Sequence, residues 1–507
     1  MRASVLAALL VVAAPVTAQI PPAEYAGRRG ALTRALPGDG VLLVLGAREP
    51  RENYLNFWQA EHFNYLTGFL EPGAALVIVR RGETERGMLF VPPRDPSQEV
   101  WTGARLGVEG VQPKLGLEGR EAATLRGMLD SLLATGGALY TVGDFSFRGG
   151  GRGGAGGGAG GGAVRAAPLT VDDQFVETLK AAHPDVTVTI VNQQVTAQRG
   201  RKSAAELDLL RTAARISAMA HTEVLHAIAP EMNEFEIQSL AEYVFRKHGA
   251  DGPAYGSIVG SGPNSTTLHY NRDDRFMHAG EVLNMDMAAY YGGYAADLTR
   301  TVPVSGKFSD AQKDLYRIVY DAQQAAERQV KPGNPRRQMS DSATAVLRAG
   351  LAKVGLIEAS DATFDCGTAA AARSCPQLQL FYMHGLGHGI GLDVHDPDQS
   401  DGPNGRLAER SVFTIEPGLY VRANTVDIIP DTPRNAAIKA KIAPAVRKYA
   451  NIGVRIEDDY IVTATGFERI TAAAPRTIEE IEREMARRGP ALVRDKAMVE
   501  NYKRIRP

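Results

Sequence analysis

Short apolar runs and longer amphipathic stretches alternate along this 507-residue chain, and they do so differently in its two halves. "GVLLVLG" (40–46), "AALVIVRR" (74–81) and "GMLFVPP" (87–93) are compact apolar runs bounded by Gly, Pro or Arg, the pattern of buried strands. Helix-compatible text separates them, and strand text returns at "VTVTIVNQQV" from Val186. The first half therefore predicts a mixed α and β domain. Near Arg199 the pattern changes. "RGRKSAAELDLLRTAARISAMAHTEVLHAI" places Ser203 and Glu206 as an S-x-x-E capping box that opens a long helix. A second helix is expected from about Asn233 to Lys247, stopped by Gly249. Strands follow these helices, which predicts an α+β domain. The limits read from the pattern are 22–198 for the first domain and 199–485 for the second, with a tail over 486–507.

"EVLNMDMAAYYGGYAADLTRTVPV" (281–304) reads as a hairpin. Gly292-Gly293 is a two-residue turn between alternating arms, so Tyr291 pairs with Tyr294. In that register Asp286 faces Thr299 and Asp297 faces Ala288. The two aspartates then share one face as diagonal neighbours, roughly 7–8 Å apart at Cα. Leu283, Met285, Met287, Leu298 and Val302 fall on the other face, toward a core. Two like charges side by side against a core need a shared proton, a basic partner or a metal; the plain alternative is a solvated face.

Composition adds limits. Hydrophobic content of 44% and charged content of 23% are those of a folded soluble chain, and a net charge of −1 gives no reason to expect nucleic acid or an anionic membrane as partner. The first residues, "MRASVLAALLVVAAPVTAQI", carry Arg2, an apolar run and then Val16-Thr17-Ala18, the pattern of a cleaved secretory signal over 1–18. Export to a periplasmic or secreted location is the expectation, with no membrane partner once the signal is removed. The two cysteines, Cys366 and Cys375, then predict one disulfide, against the alternative of two free buried thiols. "GGGRGGAGGGAGGG" (149–162) lacks the ending of a phosphate loop and reads as a flexible surface insertion.

"HGLGHGIGLDVHD" (384–396) has the His-x-x-x-His spacing of a helical zinc site, but its glycines fall at every second position. Each would cost about 1 kcal/mol inside a helix, and Gly385 stands where a zincin has Glu. The stretch is therefore expected as extended or looped backbone, with His384 and His388 on one face and glycines on the other, where a backbone or ligand can approach. Glu416 in "SVFTIEPGLYV" and Glu457 in "NIGVRIEDDYIVT" interrupt apolar strand text in the same way as the aspartates. An unpaired buried carboxylate costs several kcal/mol. Four carboxylates and an imidazole can neutralise two divalent cations, and oxygen-rich ligation favours manganese over a thiolate-type zinc site.

These residues together resemble the pita-bread metallopeptidases, and within them the Xaa-Pro aminopeptidases (aminopeptidase P). "NMDMAAYYGGYAADLTRT", "HGLGHGIGLDVHD", "TIEPGLY" and "GVRIEDD" are similar to that family's metal motifs, in the same order, and "GSGPNSTTLHY" to its substrate-histidine segment. "FNYLTGFLEPGAALVIV" resembles the non-catalytic domain of the aminopeptidase P, prolidase and creatinase group. The resemblance implies an α+β pita-bread catalytic domain, a curved and mostly antiparallel sheet covered by helices, preceded by a smaller mixed α/β domain of the creatinase/aminopeptidase P type. It implies two divalent ions, manganese before zinc or cobalt. Asp286, Asp297 and Glu457 would hold one, and Asp297, His388, Glu416 and Glu457 the other.

The same resemblance implies hydrolysis of an N-terminal Xaa-Pro bond through a metal-bridging hydroxide, with Glu416 taking its proton. His269 and His395 would stabilise the scissile carbonyl and the tetrahedral intermediate, His384 would line the pocket beyond the cleaved bond, and Arg455 would position Glu457 or its neighbours. The implied partners are peptides with proline second and, by one reading, further copies of the chain. A prolidase-like dipeptidase would use every one of these ligands, a non-catalytic peptide-binding module could share the fold, and a creatinase-like amidinohydrolase is more distant. The Gly-rich insertion, the cysteine loop and the segment 422–450 are not fixed by the motifs.

Overall fold

Continuous apolar runs such as Val41 to Val44 require cover on both faces of a sheet, and the computed structural model of the chain supplies it. It describes residues 19–52, 55–143, 170–367, 371, 373–398, 405–487, 489, 497 and 499–500. The predicted signal, the Gly149–Gly162 segment and most of the tail lie outside those residues.

The first half builds a six-stranded mixed sheet in the order Glu118–Glu121, Thr84–Val91, Ala75–Arg81, Gly40–Leu45, Gly137–Val142, Val186–Ile190. The three central strands pair antiparallel, and the flanking pairs are parallel. Alternation sends Val41 and Leu43 to a cluster with Val77, Phe90 and Leu129. It sends Leu42 and Val44 to another with Leu76, Ile78 and Phe63. That second cluster continues into Leu207, Leu210, Ile390, Leu392 and Val412 of the second half, so the two halves share a core.

The second half opens with the helix Ala204–Ala227, whose Ser203 hydroxyl and Glu206 carboxylate cap it reciprocally. Asn233 and Glu236 do the same for Glu234–Lys247. The hairpin takes the register expected from its Gly-Gly turn: Tyr291 pairs with Tyr294 and Asp286 with Thr299. Every strand pair in this half is antiparallel among the described residues. The helices Asp310–Glu327 and Arg337–Lys353 pack Leu315, Val319, Leu347 and Leu351 behind the strands. This is the mixed architecture the resemblance implied, a helix-covered catalytic half behind a smaller α/β half.

The segment 422–450 contains the helix Pro433–Tyr449. Its Asn435 side chain clasps both backbone groups of Asp365, at 3.0 and 2.9 Å, and so ties the helix to the hairpin Thr363–Asp365/Ser374–Pro376. Cys366 and Cys375 are bonded at the end of that hairpin, with Cys375 in the main core. Closing so short a loop stabilises the fold by about 2–3 kcal/mol. The double variant Cys366→Ser/Cys375→Ser is expected to melt a few degrees lower and to make the melt insensitive to reductant. A melt that reductant shifts equally in both proteins would contradict this.

Candidate metal and peptide site

The histidine stretch is not helical. It runs extended along the strand Val412–Ile415, with Ile390 N donating to Val412 O, Thr414 N to His388 O and Glu416 N to Leu386 O at 3.2, 2.9 and 2.8 Å. The glycines permit this contact. A Cβ on Gly387 would collide with the Thr414 carbonyl, and one on Gly389 with the Asp396 carbonyl. His388 thereby projects toward the aspartate hairpin.

The structure brings Asp297, His388 and Glu457 together, with one ligand atom from each within 4.8 Å of the others. Glu416 joins them: His388 Nε2 lies 3.5 Å from both Asp297 Oδ2 and Glu416 Oε1. Asp286 is linked to Asp297 by the Tyr255 hydroxyl, 2.5 Å from one carboxylate and 2.7 Å from the other. Arg455 donates to Asp286 Oδ2 at 2.5 Å; it acts on Glu457 by its charge and through Thr299, whose hydroxyl accepts from Arg455 Nε at 3.2 Å and donates to Glu457 Oε2 at 2.6 Å.

The electrostatics ask for a cation. Burial pushes the carboxyl groups of Asp297, Glu416 and Glu457 well above the usual carboxylate range, and their mutual repulsion adds to it. Burial, then the charge of His395, lowers His388 to about 4. Its neutral ring donates from Nδ1 to the Gly389 carbonyl at 3.1 Å, which leaves the Nε2 lone pair aimed at two carboxylates. Lone pairs facing lone pairs need a proton or a metal ion between them. Oxygen donors plus one neutral imidazole fit divalent ions.

Around this centre, His395 stacks on His388 with ring centroids 3.9 Å apart. His269 is exposed on the loop after Gly262–Thr266 and acts electrostatically on both His384 and His395. His384 donates to the Gly385 carbonyl and accepts from the Tyr420 hydroxyl at 2.8 Å, while Arg455 donates to that hydroxyl at 3.0 Å. Burial, then Arg455, lowers His384 to about 3, so it stays neutral.

Several supporting residues carried no sequence signal of their own. Tyr255 sits in unremarkable text. Asp459, whose Oδ2 accepts from Asp297 N at 3.0 Å, stands within "GVRIEDD", where nothing in the sequence separates it from its neighbours. Arg300 alternates onto the core face of the hairpin, where a charge is unexpected. It is 1% exposed and its five N–H groups are all taken: by the carbonyls of Pro475, Thr299, Glu457 and Ala474, and by Asp458.

A model of metallopeptidase family M24 matches residues 208–464, and one of the aminopeptidase P N-terminal domain matches residues 25–140. The chain belongs to metallopeptidase family M24, in its aminopeptidase P branch. The Xaa-Pro aminopeptidase of Haemophilus influenzae is 32% identical to this M24 chain over 470 residues, 92% of this chain and 97% of the relative. That of Escherichia coli is also 32% identical, over 90% of this chain and 96% of its own. Proline aminopeptidase P II from Yersinia pestis superimposes with a TM-score of 0.75 at 31% identity, covering 92% of this chain and 100% of its own. Aminopeptidase P from Escherichia coli with the inhibitor Pro-Leu superimposes with a TM-score of 0.76 at 29% identity, covering 92% of this chain and 99% of its own.

One buried acid of this M24 chain stands apart from the cluster. Asp273, four residues beyond His269, has φ 48° and is 1% exposed. Its Oδ1 accepts from Val259 N at 3.0 Å, and burial, with Glu234 and Glu242 nearby, raises its carboxyl to about 7. The folded state therefore holds this proton more tightly than the unfolded chain. The stability tied to it is complete below the unfolded pKa of about 3.9 and is lost as pH rises to about 7. Asparagine tolerates this backbone and carries no charge. Asp273→Asn should thus gain roughly 2–4 kcal/mol at pH 8 and almost nothing at pH 4. Equal gains in melts at both pH values would contradict the assignment.

Proposed function

We propose that this protein is an Xaa-Pro aminopeptidase, releasing the first residue of peptides that have proline second. The observation that carries the reading is the neutral His388 with its lone pair aimed at Asp297 and Glu416, both 3.5 Å away, beside Glu457. Asp286, Asp297 and Glu457 would hold one divalent ion, and Asp297, His388, Glu416 and Glu457 a second, with manganese the preferred metal. When bound, such ions supply Lewis acidity and lower the pKa of water. The rest is the work of the chain's own side chains.

Glu416 takes a proton from the attacking water and passes it to the departing prolyl nitrogen. His269 and His395 stabilise the carbonyl oxygen as charge develops on it. Proline has no amide hydrogen and a fixed φ, so the scissile bond offers little for backbone pairing and depends on this polarisation. The neutral His384, held by Tyr420 and Arg455, lines the path by which the chain beyond proline leaves. The relatives named Xaa-Pro aminopeptidase support the substrate class.

The deciding experiment compares kcat/KM on Xaa-Pro-Yaa and on Xaa-Pro, with product identification. Preference for the tripeptide is expected. Preference for the dipeptide would move the assignment to a prolidase with the same ligands, and no turnover with metal bound would make the protein a binding module. Export behind a signal ending at Ala18 belongs to the same reading, and intact mass from the native host tests it.

A further inference from the structure

Asp396 follows His395 and is 4% exposed, yet it faces two buried cations. Arg199 donates from Nη2 to Asp396 Oδ1, and Lys202 from Nζ to Asp396 Oδ2 at 2.6 Å. Lys202 also donates to the Arg199 carbonyl at 2.7 Å. Arg199 and Lys202 are 4% and 1% exposed and come from the segment that joins the two halves of the chain. On its other side Arg199 donates from Nη1 to His62 Nδ1 at 2.9 Å, and His62 belongs to the helix Glu61–Thr67 of the first half. Burial, then the charge of Arg199, lowers His62 to about 3, which keeps it an acceptor. Burial alone would raise the Asp396 carboxyl, but Arg199 and Lys202 outweigh it and hold the group below its ordinary value.

The anchored carboxylate closes a turn. Asp393 N donates to Asp396 Oδ1 at 3.3 Å, Asp396 N to Gly389 O at 2.9 Å and Gly391 N to Asp393 O at 3.0 Å. A Cβ on Gly391 would strike the carboxylate of Asp396 and Nζ of Lys202, so the backbone lies directly on the triad. His395 stands on this turn, exposed, and its one ring contact among the described residues is the stack on His388. Among the described residues no hydrogen bond to its ring fixes its direction. The turn does.

We propose that Asp396 is a positioning residue for His395, and that the first half of the chain takes part in the reaction through it, by way of His62, Arg199 and Lys202. This rests on the reading of His395 as a group that stabilises the scissile carbonyl. Asp396 touches neither the carboxylate cluster nor the peptide in this account. Its contribution is the orientation of the imidazole, where an error of about 1 Å is enough to cost on the order of a hundredfold in rate.

The test is a double-mutant cycle on the full chain with a Xaa-Pro-Yaa tripeptide, read as kcat and KM separately alongside thermal melts. Asp396→Asn leaves two buried cations facing a neutral amide and threatens folding. Lys202→Met is therefore the paired variant: it removes one anchor and leaves Arg199 and Asp396 balanced. Expected losses in kcat are about 30-fold for Asp396→Asn and about 5-fold for Lys202→Met in the native background, and under about 2-fold for either in a His395→Ala background. Equal losses in both backgrounds, or full kcat in a folded Lys202→Met, would overturn the positioning role while leaving His395 in place. If His395→Ala alone keeps full activity, the reading of His395 fails and the proposal falls with it.

Discussion

Asp297→Asn is expected to lower kcat by about a thousandfold or more and to gain thermal stability in chelator. Both effects have one cause. Asp297 is buried among Asp286, Asp459 and Glu416, and its carboxyl is held far above the ordinary range by burial first and by those charges next. Removing its charge relieves the repulsion, so the fold gains. The same change deletes the oxygen that would serve both ions. Glu457→Gln follows the same logic through its contacts with Asp297 and Asp286, although its bond from Thr299 at 2.6 Å adds a cost. Turnover, metal content by mass spectrometry and melts in chelator decide it. A variant that keeps native turnover removes the proposed mechanism, and one that loses turnover while keeping two metals removes the shared-ligand role.

Gly387→Ala is expected to cost about 3 kcal/mol or more and to reduce turnover roughly a hundredfold in whatever folds. The added methyl points at the Thr414 carbonyl, a backbone atom in the strand Val412–Ile415. No rotamer change relieves that contact. The extended stretch would have to lift off, breaking bonds at Leu386 and His388 and moving the His388 ring away from Asp297. Gly466 is the control: open space surrounds the point where its Cβ would stand, so Gly466→Ala should be milder. Equal behaviour of the two variants would show that close packing is not why the stretch is rich in glycine.

The strand register around the aspartates was legible because a Gly-Gly turn admits few geometries and alternation does the rest. The non-helical histidine stretch was legible from four misplaced helix breakers. The support around the site was not. Tyr255 reaches Asp286 and Asp297 from 31 and 42 residues away in sequence, and its neighbours carry no periodicity that aims it there. The resemblance implies that Arg455 positions Glu457 or its neighbours, and its bond to Asp286 crosses 169 residues of sequence that no local pattern records. The Arg199–Lys202–Asp396 triad joins positions almost two hundred residues apart, and no local pattern records such a contact.

Arg300 turns the gap between the two carboxylate-bearing strands into a fixed gauge. Its guanidinium is bonded to the carbonyl of Thr299, two residues beyond Asp297, on one side and to the carbonyl of Glu457 on the other. The spacing is therefore machined into main chain, before any acidic side chain is placed, and it does not follow the charge of whatever lies between the strands. Ligands can be exchanged on such a template without redrawing it. The template itself has one irreplaceable part, since a lysine at this position could offer three donors from a single point where five are used across three segments.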